Sequence, residues 1–332
     1  MDTSSVPLPE ARLSSSEPIR VSVPPAPPLT EEELIRRFNQ LLREHARLRA
    51  REPGEPVELG DDVQLDIIGY ANEKLIPFSI RGELWMELAP QDELPGFAET
   101  LAGSAVGDCV GIELVLPDTY PVKSLRGVRA RFMVDLMAAR EVVLPDPESE
   151  EFLRQLGRGS TLPEVMNALG QELLQEHEDA RWLDAQNRVL DVLASRLEVK
   201  LPESLIDEEI RRRWEASEGP TVREKNFSPA ETHEALQAWR TDPATRAEVE
   251  RRLRVSMALK AVAERDGLRL EHNEVFGVLE KYMEAYGLKA SEVREALATP
   301  ETAAPLRNLA WHLRTVEHVM EQAEIHFEGG DA

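Results

Sequence analysis

The chain has 332 residues, a formal net charge of −23, and 30% charged against 42% hydrophobic side chains. A body this acidic repels phosphate backbones, which argues against nucleic acid as a partner. Cys109 is the only cysteine, so no internal disulfide forms; no apolar run nears the ~18 residues of a membrane span, and no secretion signal opens the chain, so a cytoplasmic location without a membrane partner is expected.

In chain order, residues 1–29 are rich in Pro and Ser and close on Pro24-Pro25-Ala26-Pro27-Pro28, the composition of an extended or disordered segment. Thr30 with Glu33 forms a capping box that opens a linker helix over residues 30–54. Leu34, Phe38, Leu41, His45 and Leu48 give it one apolar face, and Pro53-Gly54 ends it. Residues 55–143 hold strand-like runs, Val63–Ile68 and Cys109–Leu116, punctuated by Gly107-Asp108 and Pro117-Asp118. Cys109 reads as a small buried hydrophobe.

From residue 144 to 332 the pattern is helical. Thr161 and Glu164 form a second capping box, and the run Leu162–Glu198 would be roughly 55 Å long if unbroken. Ser228-Pro229 and Asp242-Pro243 mark further starts, and Gly267 and Gly287 mark stops. Helices over about 244–266, 274–286 and 301–325 complete the region. The predicted fold class is α+β: a small antiparallel sheet domain with a short helix, then a large all-α domain with extended arms. The clusters Arg211-Arg212-Arg213 and Arg251-Arg252 read as solvated faces pairing with neighbouring Glu. Trp182, Trp214, Trp239 and Trp311 lie on predicted helices. They read either as core or as exposed contacts for a partner.

Three islands carry a family resemblance: Leu94-Pro95-Gly96-Phe97, Leu116-Pro117-Asp118-Thr119-Tyr120, and Leu125-Arg126-Gly127 followed by Phe132. Their order resembles the prolyl-isomerase domain of the FKBP class, in the version carried by trigger factor, the bacterial folding chaperone. Val57-Glu58-Leu59-Gly60-Asp61-Asp62-Val63 is similar to the approach to that family's first strand. Val143-Leu144-Pro145, Glu151-Phe152, Thr161-Leu162 and Leu201–Ile206 are similar to the entry into its helical arms.

Rotation about an X–Pro bond faces a barrier of about 18–20 kcal/mol and needs neither nucleophile nor metal. An apolar pocket that strips water from the amide favours the twisted, less polar form. The resemblance implies that Phe97, Tyr120 and Phe132 are the catalytic prolyl pocket. It implies substrate contacts at Ile67, Ile76, Phe78, Leu84 and Leu94. Packing in the core of a small sheet domain is the other reading of the three aromatics. Ile67 and Ile76 stand where the family commonly has Phe. Pro77 stands where it usually has an acidic residue, taken there to orient the substrate. Phe78 is the candidate to replace the lost aromatic. These departures imply weakened isomerase activity. No Gly-rich phosphate loop and no clustered His and Cys are present, so neither cofactor nor metal is expected.

The function implied is that of an ATP-independent folding chaperone whose partners are unfolded or nascent polypeptides. Residues 7–30 resemble only the tail of the ribosome-docking domain with which trigger factor begins, so direct ribosome binding is not expected. The alternative is a dedicated assembly or interaction protein for one partner, with the isomerase fold as scaffold.

Overall fold

The computed structural model describes residues 9, 11–90, 94–283 and 285–329. Part of the expected N-terminal extended or disordered segment, residues 1–8 and 10, lies outside the described residues. The chain opens with strands β1 (Arg12–Leu13) and β2 (Arg20–Val23), then helix α1 (Glu31–Glu44). Strands β3 (Arg47–Ala50), β4 (Asp62–Ala71), β5 (Lys74–Leu75) and β6 (Arg81–Glu87) precede the short helix α2 (Phe97–Leu101) and strands β7 (Cys109–Val115) and β8 (Arg129–Val143). Helices α3 (Glu150–Gln155) and α4 (Leu162–Ser195), strand β9 (Leu197–Glu198), and helices α5 (Glu203–Ser217), α6 (Gly219–Glu224) and α7 (Pro229–Thr241) follow. The last elements are α8 (Pro243–Arg265), α9 (Val275–Glu280), α10 (Ala290–Ala298), α11 (Pro300–Glu321) and strand β10 (Glu324–Phe327). The fold is α+β.

Two compact units emerge: residues 28–174 with 203–249, and residues 1–27 with 175–202 and 250–332. Helices α5–α7, from the helical part of the sequence, therefore lie in the unit that contains the sheet.

In the sheet unit, β4 and β8 run antiparallel at the centre. β5 and β6 share the far edge of β4, while β3 and β7 share the far edge of β8. Alternation decides the inner face: Val63, Leu65 and Ile67 from β4, and Phe132, Val134 and Leu136 from β8, are each at most 8% exposed. The spacing then breaks, because Ala139 is also buried although it lies three residues after Leu136. A bulge resolves this. Leu65 faces Leu136 while Gln64 faces Ala138, so Met137 is the extra residue and is turned outward. Helix α2 closes the core with Phe97, Ala98 and Leu101.

Helix α1 starts where expected, with the Thr30 hydroxyl accepting from the Glu33 N–H at 3.2 Å. It stops at Glu44, well before Pro53-Gly54. The chain instead becomes β3, which pairs with the end of β8 from Arg47–Val143 to Ala50–Arg140. An open sheet edge and two ion pairs outweigh helix continuation. Arg49 bonds Glu141, and the buried Arg51 forks onto the equally buried Asp61 at 2.7 and 2.9 Å. A second small core in the same unit joins Phe38, Leu41 and Leu42 of α1 to Phe152 of α3 and to Val165 and Leu169 of α4.

In the other unit, the N-terminal segment is extended and paired. β1 runs antiparallel to β9, and β2 runs parallel to β10. Residues 324 and 325, expected as the end of a helix, belong to this strand; its backbone takes the hydrogen bonds that β2 offers. Gly267 and Gly287 adopt left-handed φ values of 63° and 61°. Leu268 N–H then bonds Ala263 O, which makes Gly267 the stop of α8, whereas Leu288 N–H bonds Met283 O at a turn seven residues past the end of α9, so Gly287 is not a helix stop. The expected helix 274–286 is regular only over Val275–Glu280, and α10 is a further helix that the sequence pattern did not separate. Among the described residues, no helix is long and apolar enough to cross a membrane.

Gly69 on β4 marks a close approach: a Cβ there would lie 2.7 Å from Phe132 Cε1 and 2.9 Å from Ser79 Cβ. Gly69→Ala is expected to destabilise the chain by about 1–3 kcal/mol. Gly111→Ala, where the nearest atom would be 3.7 Å away, serves as the control in urea unfolding and should shift stability far less.

Candidate functional site

The three islands converge as local backbone geometry demands. Gly96, at φ 82°, allows the turn that starts α2, and it places Phe97 in the core at 2% exposure. Tyr120 N–H closes a turn onto Pro117 O at 2.9 Å, and Arg126 Nε grips the Tyr120 carbonyl at 2.7 Å. Gly127, at φ 71°, lets its N–H return to Leu116 O at 2.8 Å. The third island thus holds the loop that carries Tyr120.

Phe97 and Phe132 meet edge to face with centroids 6.0 Å apart. Ile67 and Ile76 share their cluster, and Leu94 and Tyr120 pack against it half-buried. Six of the eight expected site residues are therefore gathered in or against one core. Leu84 and Phe78 lie outside it, each 36% exposed. The aromatic pair is closed by its neighbours in this state.

Phe78 is directed elsewhere. Its φ is 66°, a left-handed backbone that costs a non-glycine residue about 1–2 kcal/mol. Ser79 helps hold the turn, its hydroxyl donating to Ile76 O at 2.7 Å and accepting from Gly69 N–H at 3.1 Å. The Phe78 ring rests on Trp239 of α7, centroids 4.1 Å apart. The segment Ile76–Phe78, where the sequence departs from the family pattern, is thus a contact with a helix.

Glu218, only 1% exposed, sits at the centre of that contact. One carboxylate oxygen accepts from Trp214 Nε1 at 3.1 Å and from Trp239 Nε1 at 2.8 Å. The other accepts from Ile80 N–H at 3.2 Å. Burial pushes this carboxyl above the usual carboxylate range, against the pull of these three donors and of the Arg81 guanidinium. Close by, Lys225 pairs with the buried Asp66, and Leu75 N–H donates to Glu234 at 3.2 Å. A Cβ on Gly82 would stand 2.9 Å from Thr221 Cγ2.

These contacts were not anticipated from the sequence. One signal was present: Trp214 and Glu218 are four apart on one helical face, a spacing that brings side chains together. Trp214 and Trp239 are core residues at 5% exposure, whereas Trp182 is 55% exposed. Arg211, Arg212 and Arg213 pair with Glu208, Glu209 and Glu215. Cys109 is exposed rather than buried, because Ile112 and Leu114 take the inner face of β7 and leave it on the outer one. A hydrogen bond with Asp135 pushes its thiol pKa up. Among the described residues, no group of three or more His, Cys, Asp or Glu side chains could hold a metal ion.

Residues 161–321 match the family model described as the C-terminus of the bacterial trigger factor protein. A trigger factor of Halothermothrix orenii is 23% identical over 299 residues, 88% of this chain and 68% of the relative. One of Glaesserella parasuis is 23% identical over 320 residues, 96% of this chain and 70% of the relative. The chain resembles trigger factors over most of its length, and residues 161–321 belong to the family of their C-terminus. A solved trigger factor chaperone, described for promiscuous substrate recognition in folding and assembly, is 17% identical; the match covers 94% of this chain and 73% of that one at a TM-score of 0.33. The resemblance rests on the sequence matches and not on this superposition.

The raised Glu218 pKa has a definite sign. The folded chain holds this proton more tightly than the unfolded one. The group's contribution is full below the usual carboxylate value and falls as pH rises through the raised folded value. Glu218→Gln removes this titration but turns an amide N–H₂ toward an N–H donor, so the variant should be less stable throughout. Urea unfolding between about pH 4 and 7 should show the wild-type advantage shrinking with rising pH. An advantage independent of pH would refute the buried, proton-retaining carboxyl.

Proposed function

We propose that this trigger-factor-like chain is an ATP-independent chaperone of unfolded polypeptides, acting in the cytoplasm, whose isomerase-type domain has weakened activity. The observation that carries this reading is the adjacent pair Trp182 and Leu183 on α4, 55% and 58% exposed in a family of folding chaperones. Large apolar side chains left in solvent side by side favour contact with other apolar surface. Trp182 is held in place from behind: its ring meets Phe327 at 4.7 Å, and the Arg181 guanidinium covers the same phenylalanine. Many weak contacts of this kind need no ATP. A net charge of −23 keeps such a chain soluble while it holds clients, and it opposes docking on ribosomal RNA.

The isomerase reading rests on Phe97, Tyr120 and Phe132 in one domain, in the order the family uses. Its weakening rests on Ile67 and Ile76 in place of aromatics and on Pro77 in place of an acid. The closed aromatic pair favours a second reading, in which the isomerase fold is a scaffold and one dedicated partner binds the helices.

The first test is refolding of a model protein limited by proline isomerisation, with aggregation followed in parallel. Wild-type chain should suppress aggregation near stoichiometric amounts. Trp182→Ser with Leu183→Ser should leave the fold intact, the lost ring contact with Phe327 costing about 0.5–1.5 kcal/mol. The same pair should weaken suppression several-fold. Full suppression by this variant would sink the client-binding reading.

Catalysis separates the two aromatic positions. Phe97→Ala removes a fully buried side chain and should cost about 3–5 kcal/mol in the fold itself. Tyr120→Ala, on a half-buried loop, should keep the fold and lower any acceleration of proline-limited refolding by more than about tenfold. Unchanged acceleration would remove Tyr120 from the site.

A further inference from the structure

A cavity of about 490 Å³ opens beside Ile76, in the unit that contains the sheet. One side of it is formed by Ile76, Pro77, Val122 and Leu125 of the isomerase-like domain. Helix α7 supplies the other side with Gln237 and Ala238. Ile76 belongs to the cluster that holds Phe97 and Phe132, so α7 stands across an apolar approach to that cluster. We propose that α7 is an autoinhibitory cover on the isomerase-like domain, latched by Trp239, Lys225 and Glu234.

Two of the latches take groups that a peptide would otherwise use, and the third, Lys225, ties the connection into α7 to β4. β5 lies at a sheet edge. Ile76 N–H returns to Gly69 O, whereas Leu75 N–H points away from β4 and donates to Glu234 at 3.2 Å. A free edge N–H is where an extended peptide adds to a sheet, and α7 has filled it with its own carboxylate. Trp239 occupies the face of Phe78 and ties the next turn down through Glu218, which accepts from Ile80 N–H. Lys225, on the connection into α7, anchors to Asp66 of β4. Glu234 meets Leu75, the β-partner of Tyr70, so the acidic start of α7 lies at this end of the sheet, and burial together with Glu231 and Glu234 pushes the Tyr70 phenol pKa up.

The arrangement gives the wall departures a role. A family-typical acid in place of Pro77 would stand beside Glu234 and Asp242 on the cavity lining, and like charges there would repel the cover. Proline carries no charge and suits an extended approach to the left-handed turn at Phe78. The proposal rests on reading the sheet domain as an isomerase.

Two variants test it in the full chain. Trp239→Ala removes the central latch. Lys225→Ala with Glu234→Ala removes two peripheral ones and avoids a core cavity. Hydrogen exchange should show the Leu75 and Ile80 amides opening about tenfold faster in each, with β4 and β8 amides still protected. Proline-limited refolding should then accelerate about threefold or more over wild type at catalytic amounts. Unchanged exchange at Leu75 and Ile80 would overturn the latch. Faster exchange without a rate gain over an active wild type would overturn autoinhibition and leave the isomerase reading standing. Faster exchange with no turnover in any form would remove the isomerase reading, and the proposal with it.

Discussion

The unit that contains the sheet depends on one buried carboxylate. Among the described residues, no counter-charge touches Glu218; three N–H groups satisfy it instead, two from indoles and one from the backbone after Ser79. Burying a carboxylate is costly unless such donors surround it. The donors come from α5, α7 and the loop before β6, so the carboxylate is satisfied only when all three are in place. Trp239, one of its donors, also carries the Phe78 ring. The left-handed turn at Phe78 is tolerated because this assembly holds it.

Much of the fold was legible because its signals are periodic or local. The α+β class follows from alternation in residues 63–68 and 109–116 followed by long helical runs. Ser228 opens α7 with a complete capping box, and Pro229 sits at the first turn. What could not be read depended on distant partners. The helix expected through Leu48 stops at Glu44 because β8 offers a free edge about ninety residues later, between Arg140 and Val143. The bulge at Met137 cannot be seen in β8 alone, since only pairing with β4 decides which residue is extra. Cys109 illustrates the same limit: a strand-like run does not say which parity faces in.

The candidate site divides along the same line. Phe97, Phe132 and Ile67 come together because each lies on an inward strand position or at the start of α2, both set by short-range rules; Ile76, just past β5, is held by its N–H bond to Gly69 O. Tyr120 joins them because two local turns and Arg126 fix its loop. Leu84 and Phe78 do not join. Phe78 is set by Trp239 of α7, whose packing against the sheet no local pattern encodes, while Leu84 lies opposite Leu65 on the edge strand β6 and stays partly in solvent. The sequence marked 76–78 as a departure without giving its cause.

On the proposed reading of the sheet domain as an isomerase, that departure and the helix packing have one physical cause. An isomerase wall must leave an apolar surface and an open sheet edge for a passing peptide. Both are liabilities in a chain that also carries amphipathic helices able to cover them. Here the edge N–H of Leu75 meets Glu234, and the exposed face of Phe78 meets Trp239. A wall selected only for turnover would keep its charge and its aromatics. One that has come to seat a helix gains more from Pro77, which brings no charge to the contact, and from Phe78, which offers a flat ring to an indole. Altered chemistry at the wall is therefore expected wherever such a domain acquires a permanent neighbour.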